Sequence, residues 1–380
     1  MHSAAPLHDE SERMLHRSAF AVRLHERALE AMTAGGHQRA DALAARALRL
    51  ARECGPALLV ASVLDTRAKL ARSAGRPRDA ASFCRRALFW ADRAAASPDA
   101  VRLRRQLSIE HAILTCELGI YDRALRMARA ALAAARRLGP RSPELVAALN
   151  AVGFCCKYSG RWAEGERCYR RALRLEEKAG NGRSDAVATL LHNLGGIEHA
   201  RGGSKRAVVW ARRGLALRKL LYPARHPAVA ADAAALAPIL SELRRFTEAE
   251  ELLLDVVRIY RHSPDWYRYE LAVAYDNLAT LRMEAGRPAT VERLYRYSIW
   301  LKRRALGSRH ADLALTLNNL AAYLASRRRA AAAAALCREA LQIFRSALGR
   351  SHAHTLTCER NCAALDAAAA GRGRSSWPPM

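Results

Sequence analysis

The segment "LTLNNLAAYL", residues 315–324, places two adjacent asparagines, Asn318 and Asn319, inside an otherwise apolar run. Asparagine is a weak helix former, and burying its amide without hydrogen-bond partners costs free energy. The apolar residues around the pair nevertheless follow the i, i+3, i+4, i+7 spacing that puts side chains on one face of a helix. These residues are Leu317, Leu320, Ala321 and Leu324. The segment therefore predicts a helix in which both amides need an explanation.

The pattern of this segment returns along the chain every 42 residues. Asparagine recurs at the position of Asn319, as Asn193, Asn277 and Asn361. A small residue stands two positions later in each copy, at Gly153, Gly195, Ala237, Ala279, Ala321 and Ala363. Earlier copies are looser, with spacings of 40 to 44 residues. A period of this length is typical of repeat architectures, in which each repeat is one supersecondary unit.

Each copy contains the pattern of two helices joined by a short turn. In the second helix of the same unit, one face is again apolar and carries Ala333, Cys337, Ala340 and Leu341. A single hairpin cannot bury this face alone, so we expect consecutive hairpins to stack. The recurring small residues would let paired helices approach to about 8–10 Å. Pro238 falls inside a predicted first helix, where proline usually produces a kink.

The pattern resembles the tetratricopeptide repeat in its 42-residue form, which is best known from kinesin light chains. The resemblance rests on "LNNLA" (317–321), "GRW" (160–162), "CYRRALRL" (168–175) and "RHPAVA" (225–230). It implies an all-α, right-handed solenoid of stacked helix-turn-helix repeats. It also implies an interaction scaffold without catalysis. The heptad coiled coil that precedes the repeats in kinesin light chains is absent, so a motor-adaptor role does not carry over.

This frame divides the chain into three segments. Residues 15–370 are expected to form about eight helix pairs and a final helix. Residues 1–14 are expected to be flexible, and residues 371–380 to be a disordered tail.

The charge of the chain is strongly positive. Lysine and arginine total 63 residues against 36 aspartates and glutamates, which gives a net charge of +27. Nearly all of this positive charge is arginine, and the abundance of alanine indicates that a GC-rich genome contributes to it. Compositional bias does not explain the shortage of acids, so an anionic partner is a hypothesis to carry forward.

The location of the protein is indicated by what the sequence lacks. The first fifteen residues contain no apolar core of signal-peptide length, and no run approaches the roughly 18 apolar residues of a membrane helix. The nine cysteines are scattered and odd in number, in a chain too long to need disulfides. These features predict a reduced cytoplasmic protein without membrane contact.

Catalytic and cofactor motifs are also missing. The sequence contains no phosphate-binding glycine loop, dinucleotide fingerprint, H-E-x-x-H, G-x-S-x-G or C-x-x-C. The best metal candidate is the set His354, Cys358 and Cys362, at i, i+4, i+8 with His352 nearby. In the repeat frame, however, Cys362 takes the core position of Leu320. We therefore expect a protein that is not an enzyme and has neither metal nor cofactor.

The resemblance implies that the first helix of each pair lines a concave groove. Positions opposite the core face would be exposed there, and the mixture of side chains suits an extended peptide. Amides would hold its backbone, aromatic rings an apolar side chain, and Lys157 a carboxylate, so an acidic partner is favoured. Residues 266–326 would instead prefer a basic segment. The candidate groove residues are Asn150, Phe154, Lys157, Tyr158, His192, His199, Asp276, Glu284 and Asn318.

A second candidate surface is a set of arginines at equivalent places in the second helices. Stacking would align them into a stripe with steps of about 10 Å. The stripe could bind nucleic acid or another polyanion, and the competing interpretation is a solvated face in an arginine-rich protein. It consists of Arg85, Arg86, Arg170, Arg171, Arg212, Arg213, Arg296 and Arg338.

The two asparagines of the opening segment receive different predictions from the repeat. The position of Asn319 recurs as asparagine, so its amide is expected to bond neighbouring helices. The position of Asn318 changes chemistry from unit to unit, so we expect it in the groove, in contact with a partner. Its equivalents are Asn150, His192, Ala234, Asp276 and Arg360.

Overall fold

A computed structural model describes residues 5–34, 36–139, 142–264, 267–350 and 352–370. Within these ranges the chain forms seventeen α-helices, a short 3₁₀ turn at Pro288–Thr290 and no strand. The prediction of an all-α repeat solenoid is confirmed. None of the described helices is both long and apolar enough to span a membrane.

The helices fall into two compact units, Met1–Gly203 and Ser204–Met380. Unit 1 contains α1 (Ala5–Thr33), α2 (His37–Cys54), α3 (Ala57–Ser73), α4 (Pro77–Arg93), α5 (Pro98–Glu117), α6 (Tyr121–Arg136), α7 (Pro143–Tyr158), α8 (Trp162–Lys178) and α9 (Asp185–Ala200). Unit 2 contains α10 (Ser204–Leu221), α11 (Pro227–Glu242), α12 (Phe246–Arg261), α13 (Arg268–Glu284), α14 (Val291–Leu306), α15 (Ala311–Ser326), α16 (Ala330–Leu348) and α17 (Ala353–Ala369).

Within each unit, consecutive helices pack as hairpins, and each hairpin packs on the next. In unit 1, α7 contacts α8, and α8 in turn contacts α9. In unit 2, α15 contacts α16, and α16 in turn contacts α17. The apolar faces of the hairpins within each unit are thereby covered by their neighbours, as the repeat period requires.

The hairpin turns share one backbone requirement. Gly160, in the "GRW" turn, has a φ of 72°, which is the left-handed region that glycine adopts without steric cost. The positions 84 and 168 residues later are Arg244 and Arg328, with φ of 58° and 59°. The turn geometry is therefore kept even where the glycine is lost, at the expense of strain in those two turns.

The recurring small residue is explained by the packing of Gly153. A Cβ added to Gly153 would lie 2.5 Å from Cε1 of Tyr169, whose side chain on α8 is fully buried. Ala237, Ala279 and Ala321 are likewise buried. The last member of the series, Ala363 on α17, is exposed, because no described second helix follows α17.

Three details differ from expectation or lie beyond it. Helix α1 begins at Ala5, so most of the stretch predicted to be flexible is helical, and its flexibility stays a prediction. Helix α11 continues through Pro238 to Glu242. The tail at residues 371–380 lies outside the described residues.

Candidate functional site

Side-chain amides link consecutive first helices within each unit. In unit 1, Asn193 Nδ2 on α9 donates a hydrogen bond to Asn150 Oδ1 on α7 at 2.8 Å. In unit 2, Asn361 Nδ2 on α17 donates to Asn318 Oδ1 on α15 at 3.4 Å. The recurring asparagine is therefore an interhelical donor at these two places, as predicted. The acceptors, Asn150 and Asn318, occupy the repeat position just before the recurring asparagine and lie on the preceding first helix.

This pairing corrects the expectation for Asn318, which we predicted to be exposed in the groove. Its side chain is only 3% exposed and faces α17 rather than open solvent. Its neighbour Asn319 is half-buried. Successive helical residues point about 100° apart, and the repeat period alone does not fix which of two neighbours faces the next helix.

The acidic part of the predicted groove is also largely paired. Asp276 Oδ2 accepts hydrogen bonds from Lys302 Nζ at 3.2 Å and from Thr316 Oγ1 at 3.1 Å. Burial raises the pKa of Asp276, and the charge of Lys302 opposes that rise. Glu284 is exposed but accepts a hydrogen bond from the Ser241 hydroxyl. The prediction that Asp276 is open to a basic partner is therefore wrong, since Lys302 of this chain occupies that role.

The repeat period contains a signal for these buried cations. Lys302 lies 84 residues after Arg218, which is two repeat periods, and both are buried charged residues of second helices. Arg218 Nε donates to Asp232 Oδ2 at 3.0 Å. In the repeat between them, the equivalent position is Tyr260. A cation at this position of a second helix therefore indicates a carboxylate partner on an adjacent first helix.

Aromatic side chains from α6 and α7 form an exposed cluster in unit 1. The ring centroids of Phe154 and Tyr158 lie 4.9 Å apart, and Tyr158 stacks on Tyr121 at 6.4 Å. Tyr158 is 49% exposed, so one face of the cluster remains open to a ligand. The structure thus brings together the predicted Phe154 and Tyr158. Tyr121 was missed, although the loose repeat copy "GIYDRAL" at 119–125 contains it.

Lys157 lies against this cluster. Its Nζ is 5.5 Å from the centroid of the Tyr158 ring, within the range of a cation–π contact. A Cβ added to Gly196 on α9 would lie 3.0 Å from the same Nζ, so the missing side chain leaves room for the ammonium group. Burial lowers the pKa of Lys157. Among the described residues, no carboxylate forms an ion pair with Lys157.

The two predicted histidines lie on the helix that faces Lys157. His192 and His199 are half-buried on α9, four residues before and three residues after Gly196. Residues at such spacings share one face of a helix. We name the set Tyr121, Phe154, Lys157, Tyr158, His192, Gly196 and His199 the Lys157 site.

The predicted arginine stripe is partly neutralised by acids of the same units. Arg170, Arg212, Arg296 and Arg338 form ion pairs with Glu166, Glu248, Glu292 and Asp366, respectively. Arg213 lies 5.0 Å from the Trp210 ring centroid, and Arg86 is half-buried beside Phe83. Burial and the neighbouring Arg52 and Arg67 lower the pKa of Arg86. Arg85 and Arg171 are exposed.

One group of arginines is nevertheless concentrated, in a cleft between α6 and α8 of unit 1. The cleft has a volume of about 610 Å³, and Glu164 is the only acid among its lining residues. Arg129 pairs with that glutamate through a contact of 2.7 Å. We name this feature the arginine cleft, after Arg129, Arg136, Arg167, Arg170, Arg171 and Arg174.

The fold and its packed helix hairpins define a helical repeat protein, and family models specify the repeat. Models of the tetratricopeptide repeat match residues 144–219 and 313–354. These two segments are therefore tetratricopeptide repeats, as the sequence pattern indicated. No curated protein matches it.

Solved structures share the fold at low sequence identity. NprR in complex with its cognate peptide NprX is 14% identical with a TM-score of 0.59, over 78% of this chain and 81% of that one. A Rap protein complexed with Competence and Sporulation Factor is 12% identical with a TM-score of 0.58, over 94% and 100%. BtubC (BKLC) from P. vanneervenii is 20% identical with a TM-score of 0.47, over 63% and 92%.

Proposed function

We propose that this protein is a non-enzymatic interaction scaffold that binds a peptide, or a peptide segment of a partner protein, at the Lys157 site. The observation that carries the proposal is a half-buried ammonium group, without an ion pair among the described residues, beside an open aromatic cluster. A carboxylate of the ligand would bind Lys157, and an adjacent apolar side chain would pack on Phe154 and Tyr158. The favoured partner is therefore acidic.

The physical basis is the solvation that Lys157 loses on folding. A partly buried charge without a counter-ion is unfavourable, and a bound carboxylate replaces the missing water with a charge-assisted hydrogen bond. Such a bond contributes about 1.5–3 kcal/mol. The aromatic rings add apolar contact area that is already ordered before binding, so little entropy is lost there.

Peptide complexes of the same fold support the proposal. The solved relatives include NprR with its peptide NprX and a Rap regulator of plasmid pLS20 with the Phr* peptide. At 13% to 14% identity these complexes support a fold that can hold peptides, and the ligand chemistry is argued from the residues of this chain. The nine cysteines are free thiols, which supports a reducing compartment such as the cytoplasm.

The proposal is tested by selecting peptides from a random display library on the folded protein. Selected sequences should share an acidic residue next to an apolar one. Fluorescence anisotropy then compares their affinities for wild type, Lys157→Ala and Lys178→Ala. Lys178 is the matched control, because it is an exposed lysine at the end of α8 in the same unit.

We expect Lys157→Ala to weaken binding by about tenfold or more, since 1.4 kcal/mol corresponds to a factor of ten. Lys178→Ala should bind like wild type. A library that yields no acidic consensus, or equal affinities for all three proteins, would show that the Lys157 site is not the binding site.

The arginine cleft supports a second candidate function, the binding of a polyanion such as single-stranded RNA. Each phosphate contact releases counter-ions, so the affinity for a labelled RNA oligonucleotide should fall steeply between about 50 and 200 mM salt. Charge reversal of exposed cleft residues, Arg171→Glu with Arg174→Glu, should lower the slope. Arg85→Glu, an exposed arginine outside the cleft, should change it little. A flat salt dependence would eliminate this function.

A further inference from the structure

Three cysteines of unit 2 meet at the packing surface of α16 and α17. Cys337 comes from α16, and Cys358 and Cys362 come from α17. Their Sγ atoms all lie within 4.8 Å of one another, and Cys337 Sγ is 3.8 Å from Cys358 Sγ. The side chains are 0%, 1% and 5% exposed, respectively, and all three are free thiols.

The Cys337–Cys358 separation is that of a thiolate metal site, and the separations to Cys362, at no more than 4.8 Å, are close to it. In a tetrahedral zinc site with Zn–S bonds of about 2.3 Å, neighbouring sulfurs lie about 3.8 Å apart. Cys358 and Cys362 share one face of α17 at i, i+4, and Cys337 faces them from the adjacent helix. A metal ion at the centre of the three sulfurs therefore needs small side-chain adjustments rather than a change of backbone.

An oxygen atom lies beside the sulfur cluster. Asn318 Oδ1, on α15, is 3.9 Å from Cys337 Sγ. Asn361 Nδ2 donates a hydrogen bond to this oxygen and so keeps the carbonyl end of the amide near the cluster. A neutral oxygen in this place is a candidate for the fourth position of a tetrahedral ion that three sulfurs leave incomplete.

We propose that Cys337, Cys358 and Cys362 bind one thiophilic divalent ion, for which Zn²⁺ is the probe, with Asn318 Oδ1 at the fourth position. On binding, each thiol loses its proton to solvent and a Zn–S bond replaces each S–H bond. The ion would join α16 to α17 in unit 2 and stabilise their contact. The site is independent of the peptide-binding function proposed for unit 1.

The candidate set His354, Cys358 and Cys362 differs from this cluster in one member. His354 was grouped with Cys358 and Cys362 because of its spacing, but it is exposed and stacks on Phe344, with ring centroids 5.9 Å apart. Cys337 lies 21 residues before Cys358 on another helix, so a single-helix search does not find it. In the repeat frame Cys362 and Cys337 take core positions, and a core position by itself favours a buried thiol over a metal ligand.

The test uses the full chain, reduced and freed of metal with a chelator. Equilibrium dialysis against Zn²⁺ followed by elemental analysis should give one zinc per chain. Co²⁺ should produce an intense thiolate-to-metal charge-transfer band, which Zn²⁺ then removes. Zn²⁺ should also raise the melting temperature, since an ion that binds only the folded state stabilises it.

Cys337→Ser and Cys362→Ser should lose the zinc and the cobalt band, whereas Cys168→Ser should retain both. Cys168 is the matched control, a half-buried cysteine of unit 1. Circular dichroism checks that each variant is folded. If a variant does not fold, the cobalt spectrum of the wild-type protein decides whether thiolates bind the metal. Absence of stoichiometric zinc in folded, reduced wild type would overturn the proposal. The proposal would also be overturned if exposure to air gave only a Cys337–Cys358 disulfide and the protein took up no zinc after reduction.

Discussion

At the scale of single residues, the buried amide of Asn318 stabilises a contact between helices. Its oxygen accepts the hydrogen bond of Asn361, which is itself only 2% exposed. Removing the acceptor leaves a buried donor without a partner, and such a donor costs about 1–3 kcal/mol.

We therefore predict that Asn318→Ala lowers the free energy of unfolding by about 1–3 kcal/mol in urea titrations with chelator present. Asn319→Ala is the neighbouring control and should change stability less, because Asn319 is half-buried. A larger loss for Asn319→Ala than for Asn318→Ala would contradict this assignment.

The sequence predicted that one of the two adjacent asparagines bonds neighbouring helices, but it gave the exposed position to Asn318, which is the more buried of the two. A repeat period states which residues are equivalent, whereas the angle between neighbouring helices decides which of them is buried. The same limit explains Asp276, whose partner Lys302 comes from the second helix of its own hairpin. Phe154, Lys157 and Tyr158 lie together in the structure because they follow one another within little more than one helical turn, and their role in binding stays a prediction.

At the scale of structural elements, the hairpin turns set the orientation of each helix pair. Two of these turns place an arginine in the left-handed backbone region, where a Cβ costs about 1–2 kcal/mol. Arg328 is exposed, whereas Arg244 also lies 4.7 Å from the ring centroid of Phe246. A glycine at position 328 would therefore remove only the backbone strain, whereas a glycine at position 244 would also remove the contact with Phe246.

Arg328→Gly is predicted to raise the free energy of unfolding by about 1 kcal/mol, because it relieves the strain while losing no ring contact. Arg244→Gly should give a smaller gain, and Gly160→Ala should destabilise the protein. Thermal or urea unfolding measures all three. Destabilisation by Arg328→Gly would mean that the left-handed turn is not strained.

The helices were the feature of this molecule that the sequence predicted best. The 42-residue period identified the helix pairs from residue 15 onward, since a spacing repeated many times averages over local exceptions. The early part of α1 was missed because it precedes the first copy of the repeat. Pro238 does not end α11, which shows that packing on both sides can hold a helix together across one lost hydrogen bond.

At the scale of the whole molecule, the net charge of +27 is used in several ways. Part of it is neutralised in ion pairs such as Arg338–Asp366, which join neighbouring helices. Another part is concentrated in the arginine cleft of unit 1. Composition predicts the total charge but not these pairings, because they depend on residues that lie about 30 positions apart.

The proposed function depends on the recognition of a peptide carboxylate by Lys157. A double-mutant cycle measures this interaction, with Lys157→Ala in the protein and the acidic residue changed to alanine in a selected peptide. Calorimetric titration of the four combinations should give a coupling energy of about 1–2 kcal/mol, because the charges interact in a partly buried site. The same cycle built on Lys178→Ala should give none. Additive effects in the Lys157 cycle, with no coupling, would show that Lys157 does not bind that carboxylate.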